Sequence, residues 1–145
     1  MPEPPPDRPQ PRSVDPSLAD AYRAAHYTTN GFTLRIGELH PEFDAWLSRH
    51  GHGRYCLVTA HNPESRPLPA PVNKARHQTL LSLLDRLDLR YCAASSYDPS
   101  GQWPPEPGVC LLDVPTVRAR ELGRLYEQHA IVEGHRGGVP CLYWL

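Results

Sequence analysis

A chain of 145 residues is one domain's worth, large enough to bury a single core without disulfide or metal staples. Its 39% hydrophobic and 21% charged content exclude a largely disordered chain, and its formal net charge of −1 excludes a global field for nucleic acid or an anionic membrane. No apolar run reaches the roughly 18 residues of a membrane span, and the N-terminus lacks the apolar core of a signal peptide.

Residues 1–14, MPEPPPDRPQPRSV, hold six of the 18 prolines and almost nothing to bury. They predict a disordered, partly polyproline tail ahead of one globular domain over 15–145, either an idle tail, the commoner case, or a docking segment for an aromatic groove on a protein partner. Asp15-Pro16 is an N-cap acid with proline at the first helical position, so a helix is expected from Pro16 to His26, burying Leu18, Tyr22 and Ala25. Thr28 to Gly31 is turn chemistry, and Phe32, Leu34 and Ile36 alternate as a strand. Pro41 opens a short helix that buries Phe43, Trp46 and Leu47 and ends at Gly51. Tyr55 to Ala60 reads as a buried strand. The loop His61 to Ala70 leads to a long helix from Pro71 to Leu87, whose apolar face is Leu80, Leu83, Leu84 and Leu87. Strands are expected at Arg90 to Ser96 and Val109 to Val114, on either side of a Pro/Gly loop from Asp98 to Pro107. A helix opened by Pro115 buries Leu122, Leu125, Tyr126 and His129, and short strands at Ala130 to Glu133 and Pro140 to Leu145 close the chain. Interleaved helices and strands predict an α+β (or α/β) fold, a mixed sheet of about five to six strands with helices packed on it.

Basic residues are 14 Arg and one Lys, scattered rather than clustered. Cys56, Cys92, Cys110 and Cys141 form no C-x-x-C pair and all fall in expected strands, which reads as buried thiols of a protein in a reducing cytoplasm. The eight histidines include no i, i+4 pair with a carboxylate, and His50-Gly51-His52 reads as an exposed loop, so no metal and no cofactor is expected. Walker, G-x-G-x-x-G and G-x-S-x-G motifs are absent, and Ser65 lacks a base that the sequence can place. Tyr143 and Trp144 are expected to pack the last strand.

The residues that carry chemistry cluster around one strand–turn–helix. Extending the apolar face of the long helix back to its start gives Arg76 and Asn73, two polar side chains on an inward face. The carboxyl end of the preceding strand adds Thr59, His61 and Asn62, at the edge where ligands gather in open sheets and where helix N–H groups add positive potential. Arg76 offers a bidentate fork to a phosphate or carboxylate, the asparagines offer paired donors and acceptors, and Trp103 and Glu106 sit on a loop able to cover this edge.

These residues resemble a bacterial family named domain of unknown function 3293. The resemblance rests on Arg35-Ile36-Gly37, Thr59-Ala60-His61-Asn62-Pro63-x-Ser65, Asn73-x-x-Arg76, Trp103-x-x-Glu106 and Ala130-Ile131-Val132, and it runs from about Tyr22 to the C-terminus. It implies the same fold and site location, adds Arg35 to the candidate ligand-binding residues, and implies no activity.

Two readings follow. In the first, Arg35, Thr59, His61, Asn62, Asn73, Arg76, Trp103 and Glu106 bind a small anionic molecule, with Glu106 the one acid placed as a general base. In the second, Arg76 pairs with Glu106 in a buried structural network, and the protein is a non-catalytic interaction module that uses a sheet edge and the proline-rich tail.

Overall fold

The computed structural model describes residues 16–145, so the expected tail and Asp15 lie outside the described residues. Seven strands form one sheet in the order β2-β1-β4-β5-β3-β6-β7, every neighbouring pair antiparallel. They are β1 His26–Thr29, β2 Phe32–Leu34, β3 Arg54–Val58, β4 Tyr91–Tyr97, β5 Glu106–Leu112, β6 Ala130–His135 and β7 Cys141–Trp144. Four helices accompany them: α1 Pro16–Ala24, α2 Pro41–Arg49, α3 Ala70–Arg86 and α4 Thr116–Leu125. The fold is α+β, as expected, but the sheet is antiparallel rather than mixed and has seven strands rather than five or six.

The additional strand is β1. Tyr27-Thr28-Thr29 followed by Asn30-Gly31 is a strand entering a two-residue hairpin, with Asn30 at φ 52° and Gly31 at φ 78°. Positive φ at both positions is the backbone twist that matches paired strands. The alternation is too short to be seen in sequence beside the alanine-rich α1, whose helix ends at Ala24, short of His26.

Helices cover both faces of the sheet. Cys56, Val58, Val109 and Leu111 face α3 and α4, where Leu80, Leu84, Ala119 and Leu122 are buried. Tyr55, Leu57, Cys110 and Leu112 face the other way, towards Phe43 and Leu47 of α2 and Tyr22 of α1. A strand buried on both faces reads as a continuous apolar run, which is why Tyr55 to Val58 shows no alternation. At the C-terminus, Trp144 meets Tyr22 edge-on at 5.5 Å, and Arg120 stacks 3.6 Å over Tyr143 while bonding Glu133 through two nitrogens.

Two local expectations are corrected. His52 is buried rather than exposed: its Nδ1 lies 2.7 Å from Asp113 Oδ2, and Asp113 also accepts from the Gly53 N–H. Leu125 and Leu87, expected on inward faces, are exposed at helix ends. No helix among the described residues is long and apolar enough to cross a membrane.

Candidate functional site

β3 ends at Val58, and Thr59 begins the turn towards α3. The Thr59 hydroxyl donates to the Pro107 carbonyl at 2.7 Å and accepts from the His61 N–H, tying the turn to the start of β5. Asn62 follows in the left-handed conformation, φ 48°, ψ 67°, which asparagine tolerates better than other non-glycine residues. That geometry aims its amide inward. Oδ1 accepts from the Leu68 N–H at 3.0 Å and from Asn73 Nδ2 at 2.7 Å, and Nδ2 donates to Glu106 Oε1 at 2.8 Å. The Asn62 N–H in turn donates to Asn73 Oδ1 at 2.9 Å. Asn62 is therefore a hub joining the β3–α3 connection, the first turns of α3 and the start of β5.

Arg76, one turn further along α3, donates from Nε to the Ala60 carbonyl and from Nη2 to the Tyr126 carbonyl, both at 2.7 Å. Its guanidinium also lies 5.7 Å from the Tyr126 ring centroid, within cation–π reach. Gln128 reinforces the same clamp by donating to the His61 and Tyr126 carbonyls. The expected Arg76–Glu106 pair is corrected: no ion pair joins them among the described residues. A fork of five donors is satisfied by carbonyls as well as by carboxylates, and a sequence cannot show which it meets.

A cavity of about 120 Å³, partly open to solvent, lies on the other side of the hub, beneath α1. Its walls are mostly apolar, with Leu57, Ala94, Val132 and Leu142 from the sheet and Leu18 from α1. Gly108 also lines it, and the backbone there is too close to β3 for a side chain, since a Cβ would meet the Val58 carbonyl oxygen at 2.6 Å. Of the expected site residues, Thr59, Asn62, Trp103 and Glu106 line the cavity. Arg35, His61, Asn73 and Arg76 do not. Arg35 is exposed beside Glu38, and the His61 ring faces His77 at 5.9 Å. Trp103 stands at the mouth, on a loop organised by Asp98, whose carboxylate accepts from the Ser100, Gln102 and Trp103 N–H groups.

Sequence reasoning missed the cavity's second wall. Tyr22, assigned to the core, bonds the Ser65 hydroxyl at 2.7 Å, and its carbonyl accepts from the Tyr27 hydroxyl at 2.8 Å. These hydroxyls feel Glu106: its charge adds to the burial that raises both tyrosines above their ordinary range. Their juxtaposition depends on α1 folding across β1 and β4, for which no local signal exists. No group of three or more metal-ligating side chains occurs among the described residues.

Glu106 is the chemically distinctive group. Oε1 accepts from Asn62, while Oε2 has no protein partner among the described residues. Burial raises its carboxyl above the ordinary value of 4.5, against the opposing pull of the Asn62 hydrogen bond. A carboxyl that holds its proton more tightly when folded adds stability below the unfolded pKa, and this contribution disappears as pH rises through the folded pKa. Glu106→Gln keeps the shape and the acceptor for Asn62 but does not titrate. It is therefore expected to gain stability relative to the native protein as pH rises from about 4 to about 8. Urea midpoints across that range check the sign, and a pH-independent difference would contradict it.

An antiparallel sheet covered on both faces, with Glu106 in a small, mostly apolar cavity at the end of its central strands, defines an α+β protein with a candidate small-molecule site there. The model of the family described as protein of unknown function (DUF3293) matches residues 58–131, and the chain belongs to that family. The matched stretch contains the Asn62 hub, the Arg76 clamp and Glu106, while α1 lies outside it. No curated protein and no solved structure matches the chain.

Proposed function

We propose that the cavity beneath α1 binds a small molecule with an apolar body and a neutral or cationic hydrogen-bonding head, and that Glu106 recognises the head. The observation that carries this reading is the carboxyl itself: it is partly buried in a mostly apolar cavity, one oxygen held by Asn62 and the other without a donor among the described residues. The volume is close to the roughly 150 Å³ that accommodates a benzene-sized molecule. An anionic head fits less well than the sequence suggested. Arg76 is engaged by carbonyls, and among the described residues the lining contains Asp98 and Glu106 but no Arg, Lys or His. A carboxyl with its pKa raised by burial, beside the Tyr22 and Ser65 hydroxyls, is also the arrangement that a general acid requires, so turnover of the bound molecule is compatible with the same site.

The second reading survives in part. Asn73 and Arg76 have partners within the fold that account for them without a ligand, which favours a structural role for that half of the network.

A thermal-shift screen comparing small aryl or alkyl amines and amides with phosphorylated and carboxylated metabolites tests the proposal. Amines or amides are expected to raise the melting temperature of the native protein and to lose that effect in Glu106→Gln. Stabilisation by the anionic set alone, or an amine effect that survives the substitution, would overturn it.

A further inference from the structure

Cys110 lies four residues along β5 from Glu106, outside the cavity, directly opposite Cys92 of β4. Directly opposed residues of an antiparallel pair project from the same face, and both cysteines pack into the cluster on the α2 side. The Leu112 N–H donates to the Arg90 carbonyl, which makes Arg90 and Leu112 a hydrogen-bonded pair. Two residues further on, Cys92 and Cys110 form a pair of the same kind, with Cα atoms about 5.5 Å apart. That separation falls inside the window a disulfide bond requires. All four cysteines are free thiols.

The two sulfurs are not equivalent. Cys92 is half-buried, and its Sγ receives a hydrogen bond from Asn30 Nδ2 at 3.0 Å, with the Thr29 hydroxyl 3.5 Å away. Asn30 is held for this contact by its own bond to Thr29 Oγ1 and by its left-handed position in the β1–β2 turn. The Cys110 side chain, followed by Thr29 and Asn30, draws the Cys92 thiol down to about 6 in spite of partial burial, and the His52 charge acts in the same direction. Hydrogen bonding to Cys92 and burial push Cys110 the other way. Cys56, by contrast, is raised to about 12 by burial. A half-buried thiol drawn down in pKa, directly opposite a buried thiol pushed up, is the arrangement of an attacking and a resolving cysteine.

We propose that Cys92 is a thiol-modification site that exchanges with small-molecule disulfides, and that Cys110 resolves the adduct into a cross-strand Cys92–Cys110 disulfide. The Cys92 thiolate attacks one sulfur of the reagent RS–SR. The Cys92–SR bond forms, the reagent's S–S bond breaks, and RS⁻ departs. Cys110 then gives up its proton to the departing thiolate and attacks Cys92 Sγ, releasing a second RS⁻ that is protonated from solvent. Two protein thiols are oxidised to one disulfide, and one reagent disulfide is reduced to two thiols.

The native chain, incubated with oxidised glutathione and mapped by mass spectrometry without reduction, tests this. The expected product is a Cys92–Cys110 cross-linked peptide, with loss of two hydrogens from the intact mass. Cys110→Ala is expected to stop at a glutathione adduct on Cys92, and Cys92→Ala to lose the cross-link completely. If the native protein is modified first at Cys56 or Cys141, or carries glutathione on Cys92 without ever closing the cross-link, the proposal is overturned. The native-protein result decides the matter even if a variant fails to fold.

Discussion

Arg76→Met is expected to cost about 3 kcal/mol of folding stability, because charge-assisted bonds to two carbonyls are lost together. Methionine preserves most of the aliphatic stem, so the loss reports the guanidinium rather than a cavity. The two acceptors are affected unequally. The Tyr126 carbonyl keeps Gln128 Nε2 at 3.1 Å, whereas the Ala60 carbonyl has no other donor among the described residues. Arg76→Lys can reach one carbonyl but not fork to both, and it is expected to recover part of the loss. Combined with Glu106→Gln, the effect of Arg76→Met is expected to add to within about 0.5 kcal/mol, since the two side chains share no bond. Urea midpoints of the single and double variants supply the comparison. Strong coupling between positions 76 and 106, or a cost under about 1 kcal/mol, would show that the clamp is not what holds the loop ends.

Asn62→Ala is expected to be more damaging, at about 4 kcal/mol. It places alanine in the left-handed region, at about 1–2 kcal/mol, and removes the acceptor for the Leu68 N–H and for Asn73. Asn62→Gly separates the two contributions, because glycine adopts the same backbone without strain while losing the same side-chain bonds. Its stability is expected to lie between those of the alanine variant and the native protein. Asn62→Asp keeps an acceptor for the Leu68 N–H and Asn73 Nδ2 but sets a second carboxylate against Glu106 in place of the amide donor. Like charges disfavour ionisation of both groups, so this variant is expected to weaken as pH rises. Denaturation of the three variants at two pH values separates backbone strain, lost bonds and charge.

The sequence-level signals were strong where chemistry and periodicity coincided. Asn73 and Arg76 stand out because they interrupt the inward face that Leu80 and Leu84 continue, and both side chains do point into the fold. Thr59, Asn62, Trp103 and Glu106 were grouped by the strand–turn–helix and the following loop, and they do meet at one cavity. What the sequence hid was partner identity. Carbonyl acceptors leave no residue-type signature, so the sequence offers Arg76 an anionic ligand or Glu106 and does not reveal the Ala60 and Tyr126 carbonyls. Long-range placement was equally hidden: Tyr22 reads as one more core aromatic of α1, and His52 as a loop residue between glycines, until the sheet order brings Glu106 and Asp113 to them. The antiparallel sheet follows from pairings such as β3 with β6, far apart in the chain, which local pattern does not encode.

The acceptors of the Arg76 and Gln128 bonds carry a consequence for variation. Every residue type presents the same carbonyl oxygen, so these hydrogen bonds depend on what stands at positions 76 and 128 and not on the side chain at position 61. His61 can thus be exchanged for a larger or more apolar side chain without loosening the anchor, provided the backbone path is kept. The mooring points and the surface chemistry around them are separable, and a chain built this way can be retuned at one without redesign of the other.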